Sequence, residues 1–187
     1  MDDQEAVKEN PIESFAGYVK DALEIVQLKT HAIDDAAGDH NAFTMGLVVI
    51  ALAGVATSIG TYRPFGLIAF PVFAIVSAFI SAGVFHLLAT QAFKAEGDFL
   101  AFFRPFSLAH ILLWVNVIPG LNMLLLFWLA WFWLLVVTVV VLERVYTLDR
   151  AKAIATVAIP TVAMFVVVVV FGALLVSLLY LVGVRAT

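Results

Sequence analysis

Four stretches of this chain carry no Lys, Arg, Asp or Glu: His40 to Tyr62, Pro64 to Phe93, Pro105 to Leu142 and Ala153 to Val184. Each is apolar, and each is long enough to cross a hydrocarbon core of about 30 Å, which takes roughly 20 helical residues. Inside that core every backbone N–H and C=O needs a partner within the chain, so uncharged runs of this length fold as helices. The gaps predict an all-α integral membrane bundle. Composition agrees: of 187 residues 64% are hydrophobic and 13% charged, about half the charge of a soluble domain.

The spacing of turn residues divides the blocks into five transmembrane helices in a single domain over residues 1–187. The first is expected over about 42–61, and Tyr62-Arg63-Pro64 turns the chain into a second over about 65–90. Pro105 to Leu142 would be roughly 57 Å long as one helix. Ile118-Pro119-Gly120 breaks it, giving spans over about 105–118 and 121–142. The first of these is only about 21 Å long, so either Phe99 to Phe103 extends it or it stops short of crossing. A fifth span covers about 153–184, with a kink expected at Pro160. Val166 to Val170 reads as a lipid-facing run.

Residues 1–41 form a polar tail. Asn10 can cap a helix, Pro11 suits its first position and Glu13 can reach back to the cap. Ile12, Phe15, Val19, Leu23 and Val26 then recur at helical spacing, opposite Glu13, Lys20, Asp21 and Glu24. This predicts an amphipathic interfacial helix over about 11–33, lying on the membrane or against the bundle. The acidic start, Met1 to Glu5, does not suit a cleaved secretory signal, and the first span is expected to be an uncleaved anchor.

Of the 24 formal charges, ten basic and fourteen acidic, all but Arg63 and Arg185 fall on one side of this five-span layout. Positive charge marks the cytoplasmic side. The N-terminus is therefore expected in the cytoplasm and the C-terminus outside it or in a lumen. With the far face nearly bare, a protein partner is expected to dock from the cytoplasm. Candidate docking residues are Lys94 and Asp98, Arg104, and then Glu143, Arg144, Arg150 and Lys152. Membrane lipid is the other expected partner, and a homo- or hetero-oligomer is compatible with the pattern. The net charge of −4 gives no support for nucleic acid.

No glycine-rich phosphate loop, nucleophile elbow or paired-histidine helix occurs, and cysteine is absent. The polar intramembrane residues are His86, His110, Asn116 and Asn122. His86 and His110 are each expected some four to six residues below the cytoplasmic surface, as possible neighbours with Gln91, Glu143 and Arg144 nearby. They are weak candidates for a metal or haem ligand. Without strict spacing or a third ligand, the expectation is imidazoles that bridge helix ends, with no metal and no cofactor. Asn116 and Asn122 flank Pro119-Gly120, which reads as a hairpin turn although broken helices also mark transporter sites. Trp114 and Trp133 suit interfacial anchoring or lipid contact, and Trp128 and Trp131 suit packing. Ala56 and Gly60, with Ala74, Ala78 and Ala82, form small faces that pack within the bundle or against another copy. Ser77 and Ser81 lie alongside.

The order of elements from His86 to Pro160 resembles the YIP family of Ypt/Rab-interacting membrane proteins. A histidine precedes a short polar loop with Gly97 and Phe99. Arg104 and a span follow, then a Pro119-Gly120 hairpin, an aromatic-rich span, Arg144, Ala151-Lys152-Ala153 and Pro160. The resemblance implies five spans, a cytoplasmic N-terminus and, as in eukaryotic members, an adaptor role in vesicle traffic. The short N-terminal segment looks more like that of the compact prokaryotic members. The expected function is a non-enzymatic membrane scaffold or adaptor. The alternatives are a small-solute or ion transporter and, behind it, a membrane enzyme or haem protein centred on the two histidines.

Overall fold

The structure, a computed structural model, describes residues 11–120 and 125–185. These residues form seven helices and no strand. Five are long and apolar enough to cross a membrane: Asn41–Gly60, Gly66–Ala92, Phe99–Val117, Leu126–Val145 and Arg150–Tyr180. The chain is thus an all-α membrane bundle.

The N-terminal helix differs from expectation. The single helix expected over 11–33 is two, α1 (Pro11–Val26) and α2 (Thr30–Gly38). Leu28 sits at φ 64°, the left-handed position that glycine usually takes when it ends a helix. The amides of Leu28 and Lys29 close back on the carbonyls of Ile25 and Glu24 at 2.9 and 3.1 Å, which completes a Schellman cap. Ala22 and Ile25 of α1 and Ala32, Ile33 and Ala36 of α2 are buried against the bundle.

α3 (Asn41–Gly60) and α4 (Gly66–Leu87) make the most extensive helix pair. A Cβ on Gly54 would meet the Pro71 backbone at 2.5 Å, so only glycine allows this approach. Ala56, Gly60, Ala78 and Ala82 are buried here, so much of the small-residue pattern serves packing within the chain. α4 continues as a wider π turn, Leu88–Ala92.

The third span begins six residues before the expected start. The Asp98 carboxylate accepts from the Ala101 amide at 2.8 Å, capping α5 (Phe99–Leu108), which continues as a 3-10 helix over Ala109–Val117. Ten α residues at 1.5 Å and nine 3-10 residues at 2.0 Å give about 33 Å, enough to cross. Arg104, read from sequence as the boundary, instead lies inside this helix. Ser107 fills the space beside Gly46 of α3 that a Cβ would need.

α6 (Leu125–Val145) runs three residues past its expected end, and α7 (Arg150–Arg185) starts three residues early. Its start is set by Asp149, whose carboxylate accepts from the Lys152 amide at 3.0 Å. α7 runs unbroken through Pro160. From Val162 to Tyr180 every residue is exposed, including Val166 to Val170.

The core is aromatic. Phe79 stacks on Phe103 with ring centroids 4.4 Å apart, Phe103 meets Phe43 and Phe99, and Phe102 bridges Phe106 and Tyr146. These rings join α3, α4, α5 and the end of α6. Lipid tails are as apolar as leucine, so shape-matched contacts such as these, rather than water exclusion, hold the membrane part together.

Candidate functional site

Two features stand out: the charged end of the bundle and an open cavity among its spans. At the charged end, most residues that sequence singles out for docking are engaged inside the chain. Arg144 forks onto Asp34 of α2, with Nε 3.1 Å from Oδ1 and a second bond from Nη2 to Oδ2. Arg150 Nε lies 2.8 Å from Glu143, and Lys152 lies 3.1 Å from Asp149, whose carboxyl these contacts hold below its usual range. Asp98 caps α5. Arg104 is 8% exposed; its Nη1 donates to the Ala37 carbonyl at 2.6 Å, while its Nε has no partner. It joins α5 to the end of α2 and does not face solvent. Lys94 alone among the seven has neither an ion pair nor a hydrogen bond among the described residues, and it is exposed at φ 55°.

The N-terminal helices are fastened by Tyr18, which sequence did not flag, and by Trp133, which sequence assigned to interfacial anchoring or lipid contact. Trp133 of α6 donates its indole N–H to the Val26 carbonyl at 2.8 Å, satisfying an acceptor that the end of α1 leaves open. Trp133 lies twelve residues before the end of α6, or about 18 Å along it, so α1 docks on the flank of α6. Tyr18 of α1 donates to Asp39. Burial and the neighbouring carboxylate push its phenol up to about 12. Desolvation and the nearby Glu24 raise Asp21, whereas bonds from Lys29 and His31 lower Glu24.

The two histidines have separate surroundings. His86 Nδ1 lies 2.5 Å from the Tyr146 hydroxyl, and its ring meets the edge of Phe99. Tyr146 is buried against Gly97, where a Cβ would overlap its ring, and desolvation raises its phenol. This ties the end of α4 to α6 and the 93–98 loop. His110 Nδ1 meets the Phe106 carbonyl at 2.9 Å. Since α5 starts at Phe99, His110 lies roughly 17 Å along its helix from the charged end, while His86 lies roughly 8 Å from the end of its own. The expected equal depth does not hold. Among the described residues no three His, Cys, Asp or Glu side chains gather as a metal site.

Asn116 Nδ2 donates to Thr57 Oγ1 at 3.3 Å, and its buried Oδ1 has no partner. Asn122 lies outside the described residues. Trp114 donates to the Val49 carbonyl at 3.0 Å, stapling the 3-10 segment to α3. Trp128 is 59% exposed, in contrast to the packed position expected for it.

Trp128 and Trp131 line a cavity of about 740 Å³. Its other walls include Phe73 and Ser81 of α4, His110 of the 3-10 segment and Phe165 of α7. It lies wholly among membrane-spanning segments. No sequence motif announces it, because five separate segments build it.

No family model, no curated protein and no solved structure matches this chain.

Proposed function

We propose that this protein is a non-enzymatic membrane scaffold or adaptor that recruits a partner at its charged end, with that end in the cytoplasm. The observation that carries the reading is the cluster of ionic groups around Asp34, Glu143, Arg144 and Asp149 at one end of an apolar bundle, beside N-terminal helices clamped to the spans by Arg144–Asp34 and Trp133–Val26. A clamped surface binds at lower ordering cost than a loose tail. In-chain pairing uses most of the cations, and Lys20, Asp35, Lys94 and Glu96 remain exposed without ion pairs among the described residues. With Arg63 and Arg185 set aside, the chain has eight basic and fourteen acidic residues. The surface therefore suits a partner with basic residues. The resemblance to the YIP family belongs to this proposal, and traffic or membrane organisation is the setting it suggests.

Photocrosslinkers at Asp35 and Glu96 in native membranes test it. The expected result is one protein captured from both positions and lost on Asp35→Lys. Unrelated captures at the two positions would count against a docking surface.

A transporter reading has the cavity in its favour. Its aromatic and aliphatic walls suit a lipophilic molecule rather than a hydrated ion. Solute flux in liposomes above that of empty vesicles would support it.

A further inference from the structure

We propose that the cavity between α4, the 3-10 segment, α6 and α7 binds a lipophilic alcohol from the membrane, an apolar body with one free hydroxyl that donates to Nε2 of His110. The inference is independent of the docking surface, which lies at the charged end.

Size and lining come first. About 740 Å³ is within the range of pockets that hold drug-sized ligands. Walls such as Phe73, Trp128, Trp131 and Phe165 give an apolar body good contacts. The position among the spans lets a ligand enter from the bilayer.

The polar group selects the class. His110 is 7% exposed and lines the cavity. The Phe106 carbonyl lies where α5 passes into the 3-10 helix at Leu108 and Ala109. His110 Nδ1 lies 2.9 Å from it. A carbonyl can only accept, so Nδ1 carries the hydrogen and, in the neutral ring, Nε2 is left as an acceptor. Nε2 has no partner among the described residues. Of the lining hydroxyls, three are spent within their own helices: Thr57 donates to Ala53, Ser77 to Ala74 and Thr138 to Leu134, at 2.9, 3.0 and 2.7 Å, while Ser81 and Thr161 have no hydrogen-bond partner among the described residues and can donate to a ligand oxygen. The first three then offer the cavity only acceptor lone pairs. Nε2 therefore asks for a donor, and a hydroxyl can give its hydrogen to Nε2 while its oxygen accepts from Ser81 or Thr161. A free hydroxyl supplies one, whereas an ester, an ether or the acyl chain of a phospholipid supplies none and leaves Nε2 facing an apolar ligand unpaired.

The test uses the full chain in phosphatidylcholine nanodiscs, labelled with hexadecanol carrying a diazirine in its chain. Unlabelled hexadecanol and hexadecyl methyl ether compete. The two differ in the donor and little else, so hexadecanol should compete about tenfold better, the usual cost of leaving such an acceptor unmet. Label should fall on peptides holding Ser81, Trp131 or Phe165. His110→Phe should bring the ratio to about one, and His110→Gln, which keeps an acceptor, should restore part of it. Thr161→Trp, in the cavity wall, should reduce labelling by the probe at the cavity peptides. Equal competition in the unmodified protein would overturn the proposal whatever the variants do. So would label confined to peptides away from the cavity. A photocrosslinker at Thr161 that captures a second copy of the chain would assign the groove to that copy instead.

Discussion

α5 with its 3-10 extension and α7 both cross the membrane, yet they are used in opposite ways. Of the apolar window of the α5 span 61% is buried inside the protein; of α7, the more apolar of the two, 0% is buried. In water this order would be reversed. In a bilayer a Val-rich helix is already well solvated, so apolar character gives it no reason to leave lipid. What goes inside is what lipid solvates poorly or what interlocks: Arg104, Ser107, His110 and Asn116, all buried, and the phenylalanine ladder. In the α5 span polarity accompanies burial, and in α7 apolarity accompanies exposure to lipid.

The comparison can be broken at its glycines. Gly46→Leu puts a side chain where Ser107 stands, and overpacking should cost about 3 kcal/mol of stability in mixed-micelle unfolding. Gly172→Leu on α7 meets nothing within 4 Å and should change stability by less than about 0.5 kcal/mol. Equal losses would mean that α7 is as tightly packed as α5.

Arg104 and Arg144 sharpen it further. Arg104→Ala removes the only described partner of a nearly buried link to Ala37 and should cost about 2 kcal/mol. Arg144→Ala breaks a fork between half-exposed groups. Its loss should be smaller and should fade as salt is raised.

Trp133→Phe keeps a ring but loses the bond to Val26. A loss of about 1 kcal/mol is expected, with faster proteolysis at the Leu28–Lys29 turn. Trp128→Phe, at an exposed position, should leave cleavage unchanged.

The smallest effect concerns pH. Tyr18 ionises at about 12 in the folded chain, against an ordinary 10.0. The folded state holds this proton more tightly, so its stabilisation is full below pH 10 and disappears as pH rises through 12. The attachment of α1 should therefore weaken across that window, as read by Leu28–Lys29 cleavage after brief alkaline exposure. Tyr18→Phe should remove that part of the pH dependence.

Charge gaps marked the first two spans to within a few residues, because the turn at Arg63-Pro64 is short and nothing ionic intrudes. They failed at Arg104, since a charge inside a helix reads as a boundary unless its buried acceptor, the Ala37 carbonyl, is known. The break at Leu28 left no signal either: leucine does not advertise a left-handed cap. At the candidate site, sequence identified His110 as an ionisable residue in a span but misplaced its depth, because the start of α5 was misplaced. The docking residues were legible as charges and illegible as pairs, since Asp34 and Arg144 are 110 residues apart. The cavity was beyond reach, being a gap between segments rather than a property of any one.

The most direct test of the account uses the absence of native cysteine. Lys94→Cys, Lys152→Cys and Arg63→Cys, each alone, are exposed to a membrane-impermeant thiol reagent in intact cells and in inverted vesicles. The account predicts that positions 94 and 152 react only in inverted vesicles and position 63 only in intact cells. Reaction of 94 and 152 from opposite sides would contradict the one-sided charged end and the docking role built on it.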